Sequence, residues 1–193
     1  MSPAIDDEET GIKLTEASAI LIYLCNKYNL NNKWYTQEKD NNDISKIIEK
    51  AKINEYLSSH HTTTRQITKI MFYPLMQSLM NKKSTDYYNI NVENNFHDKI
   101  QNIGSKFATV YLNNNNHNNH FIGNRNEPSI ADLLAYCELA QVPMVIENFK
   151  YDHELLEKWL NNMKVIGNNN SHDDIHTSVY KLRNLRNQII SKS

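Results

Sequence analysis

The stretch Lys13-Leu14-Thr15-Glu16-Ala17-Ser18-Ala19-Ile20-Leu21-Ile22-Tyr23-Leu24 decides how this chain folds, because a strand gives way to a helix inside it. On its early side, Gly11-Ile12-Lys13-Leu14 reads as one arm of a short antiparallel hairpin. Pro3-Ala4-Ile5-Asp6 forms the other arm, and an acidic turn at Asp7 to Thr10 joins them. Thr15 and Glu16 are helix-start residues. Beyond them Ala19, Ile20, Tyr23, Leu24 and Tyr28 recur at the three- and four-residue spacing of a buried helical face, until Asn29 to Asn32 breaks the run. A two-stranded hairpin is marginal alone and needs a cover. This helix supplies one, and burying Ile20, Tyr23 and Leu24 is expected to contribute roughly 1.5–3 kcal/mol per side chain.

Everything further along reads as helix. Four glycines and four prolines in 193 residues leave little room for a many-turned β protein. Ile44, Ile47, Ile48 and Ala51 open a long segment that passes Tyr56 towards Leu79 and is expected to bend near Pro74. Val92, Phe96, Ile100, Ile103, Phe107 and Val110 form the cleanest amphipathic stripe. Ile130, Leu133, Leu134 and Cys137 give a short apolar helix that stops near Pro143. Leu155, Leu156, Trp159 and Met163 make another, and Ile175, Val179, Leu182 and Ile189 the last. The asparagine runs Asn113–Asn116 and Asn168–Asn170 fall between stripes and read as expanded loops. The expected fold class is therefore mainly α: a β-β-α beginning followed by about five helices.

Composition narrows the function. A net charge of -1 offers no electrostatic footprint for nucleic acid or an anionic membrane. Lys181, Arg183 and Arg186 read as the solvated end of a helix, where cations suit the dipole. Cys25 and Cys137 lack Cys-x-x-Cys spacing, which points to a reducing compartment and no disulfide framework. The acidic start has no apolar signal core. Ala17 to Cys25, the longest apolar stretch, is far short of the ~20 residues a membrane helix needs. A cytoplasmic protein is expected.

The patterns Pro3-Ala4-Ile5-Asp6-Asp7, Lys13 to Leu24, Trp34-Tyr35 with Glu55-Tyr56-Leu57 and His61 to Arg65, and Ser129 to Leu133, in this order along the chain, resemble glutathione S-transferases, most of all the theta class. Pro3-Ala4-Ile5-Asp6-Asp7 is similar to the segment where a cis-proline opens the third strand of the thioredoxin-like domain. Lys13 to Leu24 is similar to the Leu-Thr-Glu-Ser-x-Ala-Ile-Leu run that follows it. Trp34-Tyr35, Glu55-Tyr56-Leu57 and His61-Thr62-Thr63-Thr64-Arg65 resemble the theta-class linker and the first helix of the all-helical domain. Ser129-Ile130-Ala131-Asp132-Leu133 matches the capping motif of that domain. The motif also has a physical reading of its own: the Ser129 hydroxyl can satisfy an orphan N–H while the Asp132 carboxylate reaches back, a structural role worth ~1 kcal/mol. The resemblance covers essentially the whole chain. It implies residues 1–32 as part of a thioredoxin-like domain and 38–193 as the all-helical domain.

What the resemblance implies for ligands follows residue by residue. Glu16 and Ala17 stand where the family holds the γ-glutamyl end of glutathione, the carboxylate meeting the ligand's ammonium and a serine meeting its carboxylate. Here Ala17 replaces that serine and Ser18 comes one place late, turned by about 100° around the helix. The plain alternative is that Glu16 only complements the helix dipole. Pro3 resembles the cis-proline whose preceding residue pairs by backbone with the cysteinyl part of glutathione. That residue is Ser2, where the family usually has an apolar one. Arg65 corresponds to a theta-class arginine on the thiol side of the site, where a fixed cation could stabilise a thiolate. Its plain alternative is an ion-pair residue on the surface or between helices. Tyr56, His60 and His61 lie nearby, while the family's aspartate and tryptophan read as Asn54 and Ser59.

The family's catalytic serine follows the first strand, and no position of this chain matches it. The expectation is glutathione as co-substrate, a small electrophile and a homodimer, with no catalytic residue, no metal, no nucleic acid and no membrane. Conjugation would be weak or absent. The alternatives are a non-enzymatic dimerisation or ligand-binding module, or a fragment from an incomplete gene model with further strands encoded upstream. His60 and His61 are adjacent and cannot share a face. His172 and His176 could share one beside Asp173, yet Ser171-His172-Asp173-Asp174 is also an ordinary capped helix start.

Overall fold

The structure, a computed structural model, describes residues 4–30, 34–36, 43–80, 90–112, 121–166, 179–181, 183–184 and 187–188, with backbone only at 74–80 and 90–95. Its described residues are mainly helical with one small antiparallel sheet, as the sequence implies. Strands β1 (Ile5–Asp7) and β2 (Ile12–Leu14) pair in the register Ile5↔Leu14, Asp6↔Lys13, Asp7↔Ile12. Helices follow as α1 (Ala17–Lys27), α2 (Ile44–Ser59), α3 (Gln66–Met80), α4 (Ile90–Phe107), α5 (Ile130–Leu139), α6 (Gln141–Val145) and α7 (Glu154–Ile166). None of them is long and apolar enough to cross a membrane.

Contacts divide the chain into two units, one of residues 1–59 and 114–134, the other of residues 60–113 and 135–193. In the first, Asp7 belongs to the strand and not to the turn, contrary to the sequence reading. Its carboxylate accepts from the N–H groups of Glu9 (3.1 Å) and Thr10 (3.4 Å), and its carbonyl from Gly11 N–H (2.7 Å). Gly11 closes the loop at φ 69°, a left-handed value that a Cβ would strain. Helix α1 ends on Asn29 at φ 46°, and Leu30 N–H returns to the Cys25 carbonyl at 3.0 Å, a Schellman-type stop built on asparagine. Ile20, Tyr23 and Leu24, expected to be buried, are only half-buried. Cys25 alone of this helix is fully enclosed, and Tyr28 is exposed.

Unit one also contains α2 and the start of α5. Ile53, Tyr56 and Leu57 are the buried face of α2. The residues before it are pinned by side chains: Tyr35 OH donates to Asn54 Oδ1 (3.0 Å) and Thr36 Oγ1 to Glu49 Oε1 (2.7 Å). Trp34 carbonyl accepts from Ile130 N–H at 2.9 Å. The expected cap at α5 is present. Ser129 Oγ donates to Asp132 Oδ2 (2.8 Å), Ser129 N–H reaches the same oxygen (2.9 Å), and Ala131 N–H donates to Ser129 Oγ (3.2 Å). Asp132 Oδ1 additionally holds Ile122 N–H at 3.0 Å, so one buried carboxylate caps the helix and ties down the preceding loop.

The second unit corrects the helix boundaries. The segment from Ile44 onwards, expected as one run towards Leu79, is interrupted at His60–Arg65, and α3 continues through Pro74 in backbone. The Thr62-Thr63-Thr64 run explains the break, since β-branched threonines lose side-chain freedom in a helix and their hydroxyls compete for backbone groups. Thr63 Oγ1 does so at the His60 carbonyl (3.4 Å), and Thr64 Oγ1 lies 3.2 Å from His60 Nδ1. Helix α4 ends in a π turn, Ala108–Leu112. The wider turn rotates the amphipathic register, and Val110, expected in the apolar stripe, is exposed. Trp159 anchors the core of this unit, with Phe107 at 5.1 Å and Tyr136 at 6.1 Å between ring centroids. At Gly104 a Cβ would stand 2.6 Å from Tyr151, whose hydroxyl is fixed on the Leu139 carbonyl at 3.0 Å. Only glycine lets α4 approach this closely. Cys137, expected on an apolar face, is exposed. Val92 has no described side chain, and Ile175, Leu182, Ile189, His172, His176 and Asp173 lie outside the described residues.

Candidate functional site

Glu16 and Ala17 sit at the very start of α1. Glu16 is extended (φ −99°, ψ 128°), its carbonyl accepts Ile20 N–H at 2.9 Å, and its side chain makes no capping bond to the helix. Glu16 is exposed and Ala17 half-buried. The opening turn of any helix presents N–H groups without intrahelical acceptors, and here a carboxylate stands beside them with no acidic residue inside the first turn. Such a corner can hold both ends of a zwitterionic amino acid. Ser2 and Pro3, the other two positions assigned to glutathione, lie outside the described residues.

Ser18 is committed elsewhere. Its hydroxyl donates to the Leu57 carbonyl of α2 at 3.2 Å, the direction that its one-residue shift around the helix dictates. The remaining polar chemistry of α1 faces the hairpin. Asp7 Oδ2 accepts from Tyr23 OH (2.5 Å) and Lys27 Nζ (2.5 Å), and Lys27 also pairs with Glu9 (2.8 Å). Lys27 first and Tyr23 second hold the Asp7 carboxyl well below the usual range. The bond to Asp7 pushes the Tyr23 phenol up, and burial does the same to the Cys25 thiol. Tyr23 OH and Lys27 Nζ are thus committed to the Asp7 carboxylate.

Arg65 belongs to the other unit and precedes α3. Its guanidinium donates to Glu138 Oε1 at 2.6 Å, while Thr68 Oγ1 donates to Glu138 Oε2 at 2.5 Å. Gln141 Nε2 donates to Glu138 Oε2 (2.9 Å) and to Thr68 Oγ1 (2.8 Å). A carboxylate with only 6% of its side chain exposed is thus matched by one cation and two neutral donors. His60 is buried in the same unit, its pKa driven down to about 4 by burial above all, with the charges of His61 and Arg65 adding to the shift and that of Glu138 opposing it. His61 is exposed. Sequence reading missed Glu138, Thr68 and Gln141. No local signal could have found them, because Arg65 lies 73 positions from Glu138 and Thr68 lies 70 from it. Among the described residues no group of His, Cys, Asp or Glu could hold a metal ion.

Against known proteins, the chain is 30% identical over 172 residues to glutathione S-transferase T1 of Arabidopsis thaliana, covering 84% of this chain and 62% of that protein. It is 28% identical over 191 residues to glutathione S-transferase T2 of the same plant, covering 94% of this chain and 29% of that protein. Glutathione S-transferase theta-1 of Rattus norvegicus is 38% identical over 64 residues, or 33% of this chain and 22% of that protein. The chain therefore spans less than two thirds of the length of the curated relatives it matches. No family model and no solved structure matches it. Curated relatives agree on one family, the helical architecture fits it, and the conclusion is that this chain belongs to the glutathione S-transferase superfamily and is theta-like.

Proposed function

We propose that this protein takes part in glutathione chemistry as a theta-like transferase, joining glutathione to small electrophiles, with the residues of this chain supplying binding rather than activation of the thiol. In this reading residues 1–32 are part of the thioredoxin-like domain and 38–193 the helical domain. Glu16 receives the ligand's ammonium, and the N–H groups at Ala17 receive its carboxylate. Ser2 and Pro3 pair with the cysteinyl backbone, and Arg65 approaches the electrophile. The observation that carries the reading is the corner at Glu16–Ala17, where a carboxylate and a helix start stand together in a chain whose relatives are glutathione transferases. Conjugation by these residues alone is weak or absent, because Ser18 Oγ is engaged by the Leu57 carbonyl and the Tyr23 hydroxyl by the Asp7 carboxylate, which leaves neither donor for a thiolate.

Two measurements test this. Isothermal titration with glutathione should show binding that falls about tenfold in Glu16→Gln, the loss expected for one charge-assisted bond. Absence of binding to the purified chain would remove the glutathione site. Conjugation of glutathione to an electrophilic aromatic halide should proceed far below ordinary transferase rates, and brisk turnover would refute the claim about activation. A second reading, a dimerising module without catalysis, is favoured by one feature: Ile44, Ile47 and Ile48 are large, apolar and exposed on α2.

A further inference from the structure

Asp7 stands at a position of the hairpin that strand alternation reserves for apolar side chains. The pairs Ile5↔Leu14 and Asp7↔Ile12 put it on one face with Ile5, Ile12 and Leu14, all half-buried. The ion pair of Asp6 with Lys13 (2.6 Å) lies on the other, exposed face. Only 10% of the Asp7 side chain is exposed, and a carboxylate withdrawn from water costs stability unless donors surround it. Those donors come from α1. Tyr23 OH and Lys27 Nζ, four residues apart on one side of the helix, both reach Asp7 Oδ2. Around them, Thr10 Oγ1 lies 2.9 Å from Tyr23 OH, and Glu9 pairs with Lys27 at 2.8 Å.

Apolar packing gives the hairpin a weaker hold on direction. No residue of β1 or β2 is fully buried, and of α1 only Cys25 is. Burial of apolar surface is non-directional, whereas hydrogen bonds fix both distance and angle. Only Thr15 and Glu16 separate β2 from α1. Hairpin and helix are thus joined covalently at the start of α1 and by Asp7 at Tyr23 and Lys27 further along it. The arrangement is a hinge with a strut, and Glu16 sits in the hinge.

We infer that Asp7 is a positioning residue of the glutathione corner. By tying Tyr23 and Lys27 to the hairpin, it holds the Glu16 carboxylate and the N–H groups of the first helical turn at the spacing that a zwitterionic amino acid needs, without itself contacting the ligand. This role rests on the glutathione reading of the corner and extends it to a side chain outside the corner.

The test is calorimetric titration of the full chain with glutathione, on the unaltered protein, Asp7→Asn, Glu16→Gln, the double variant, Lys27→Met and Lys27→Arg, each checked by circular dichroism. Asp7→Asn should bind glutathione roughly tenfold more weakly, as a site that is no longer pre-organised does. In the Glu16→Gln background the same change should cost less than about twofold, because Asp7 acts through Glu16. Lys27→Met should weaken binding and Lys27→Arg, which keeps the charge on the strut, should restore it. An Asp7→Asn chain that binds like the unaltered one, while Glu16→Gln binds weakly, would overturn the role of Asp7 and leave the glutathione site standing. A full tenfold loss on top of Glu16→Gln would overturn it too, since the effect would then lie in the fold at large. If Asp7→Asn fails to fold, the two Lys27 variants decide, and equal affinity in both counts against the strut. An unaltered chain that binds no glutathione would remove the site and the role together.

Discussion

Glu138 lies almost wholly out of water, and each of its oxygens has found a donor: Arg65 on one, Thr68 and Gln141 on the other. Nothing near it in sequence announced this, because Arg65 stands 73 positions away and reach across the fold has no local signature. Arg65 itself was legible as a cation with an ion pair among its readings, and Glu138 is the partner that only the fold could name. His60 beside this cluster carries a pH dependence that follows from burial. Its folded pKa of about 4 lies below the ordinary 6.5, so between those values the unfolded chain takes up a proton that the folded chain refuses. Stability should therefore fall as pH drops from 6.5 to 4, by about 3 kcal/mol in total from this group, with the loss complete below pH 4. Urea unfolding across that range checks it. His60→Gln should flatten the slope, and an unchanged slope would mean that the histidine is hydrated in the folded state.

At the scale of elements, local sequence was a good guide wherever the cause of an element was local. The hairpin, α1, α7 and the α5 cap were readable because periodicity and capping chemistry act within a few residues. The break at His60–Arg65 was not, since the threonine run that makes it lies inside an otherwise continuous helical pattern. Nor was the end of α4, because a π turn leaves no mark on an apolar stripe until the exposed Val110 reveals the lost register. The cap carries a quantitative consequence. Ser129→Ala removes a helix cap and should cost ~1 kcal/mol. Asp132→Ala removes the reciprocal cap and also strands the buried Ile122 N–H, so it should cost about 3 kcal/mol. Denaturant midpoints of the two variants would measure the difference. Equal losses would show that Asp132 serves the helix alone and does not hold the 122 loop.

For the molecule as a whole, the question the α2 surface poses is association. Ile44 is 72% exposed, Ile47 48% and Ile48 57%, three large aliphatic side chains at the i, i+3, i+4 spacing of one helical face. Scattered exposed isoleucines need no explanation, but a stripe of them at the start of a helix has the form of a surface that another surface covers. A second copy of the chain is the occupant that the homodimer reading assigns. An isologous contact would set the same three residues against their own counterparts and remove up to six isoleucines from water. Burying each would contribute roughly 1.5–3 kcal/mol before the cost of association is subtracted. Sedimentation equilibrium should accordingly show a dimer at micromolar concentration. Ile47→Glu with Ile48→Glu should shift it to monomer, because like charges would then oppose each other across the two-fold axis. Circular dichroism should stay unchanged, since both side chains are exposed in the protomer. A monomer in the unaltered chain, or a dimer indifferent to both glutamates, would show that this face meets something other than itself.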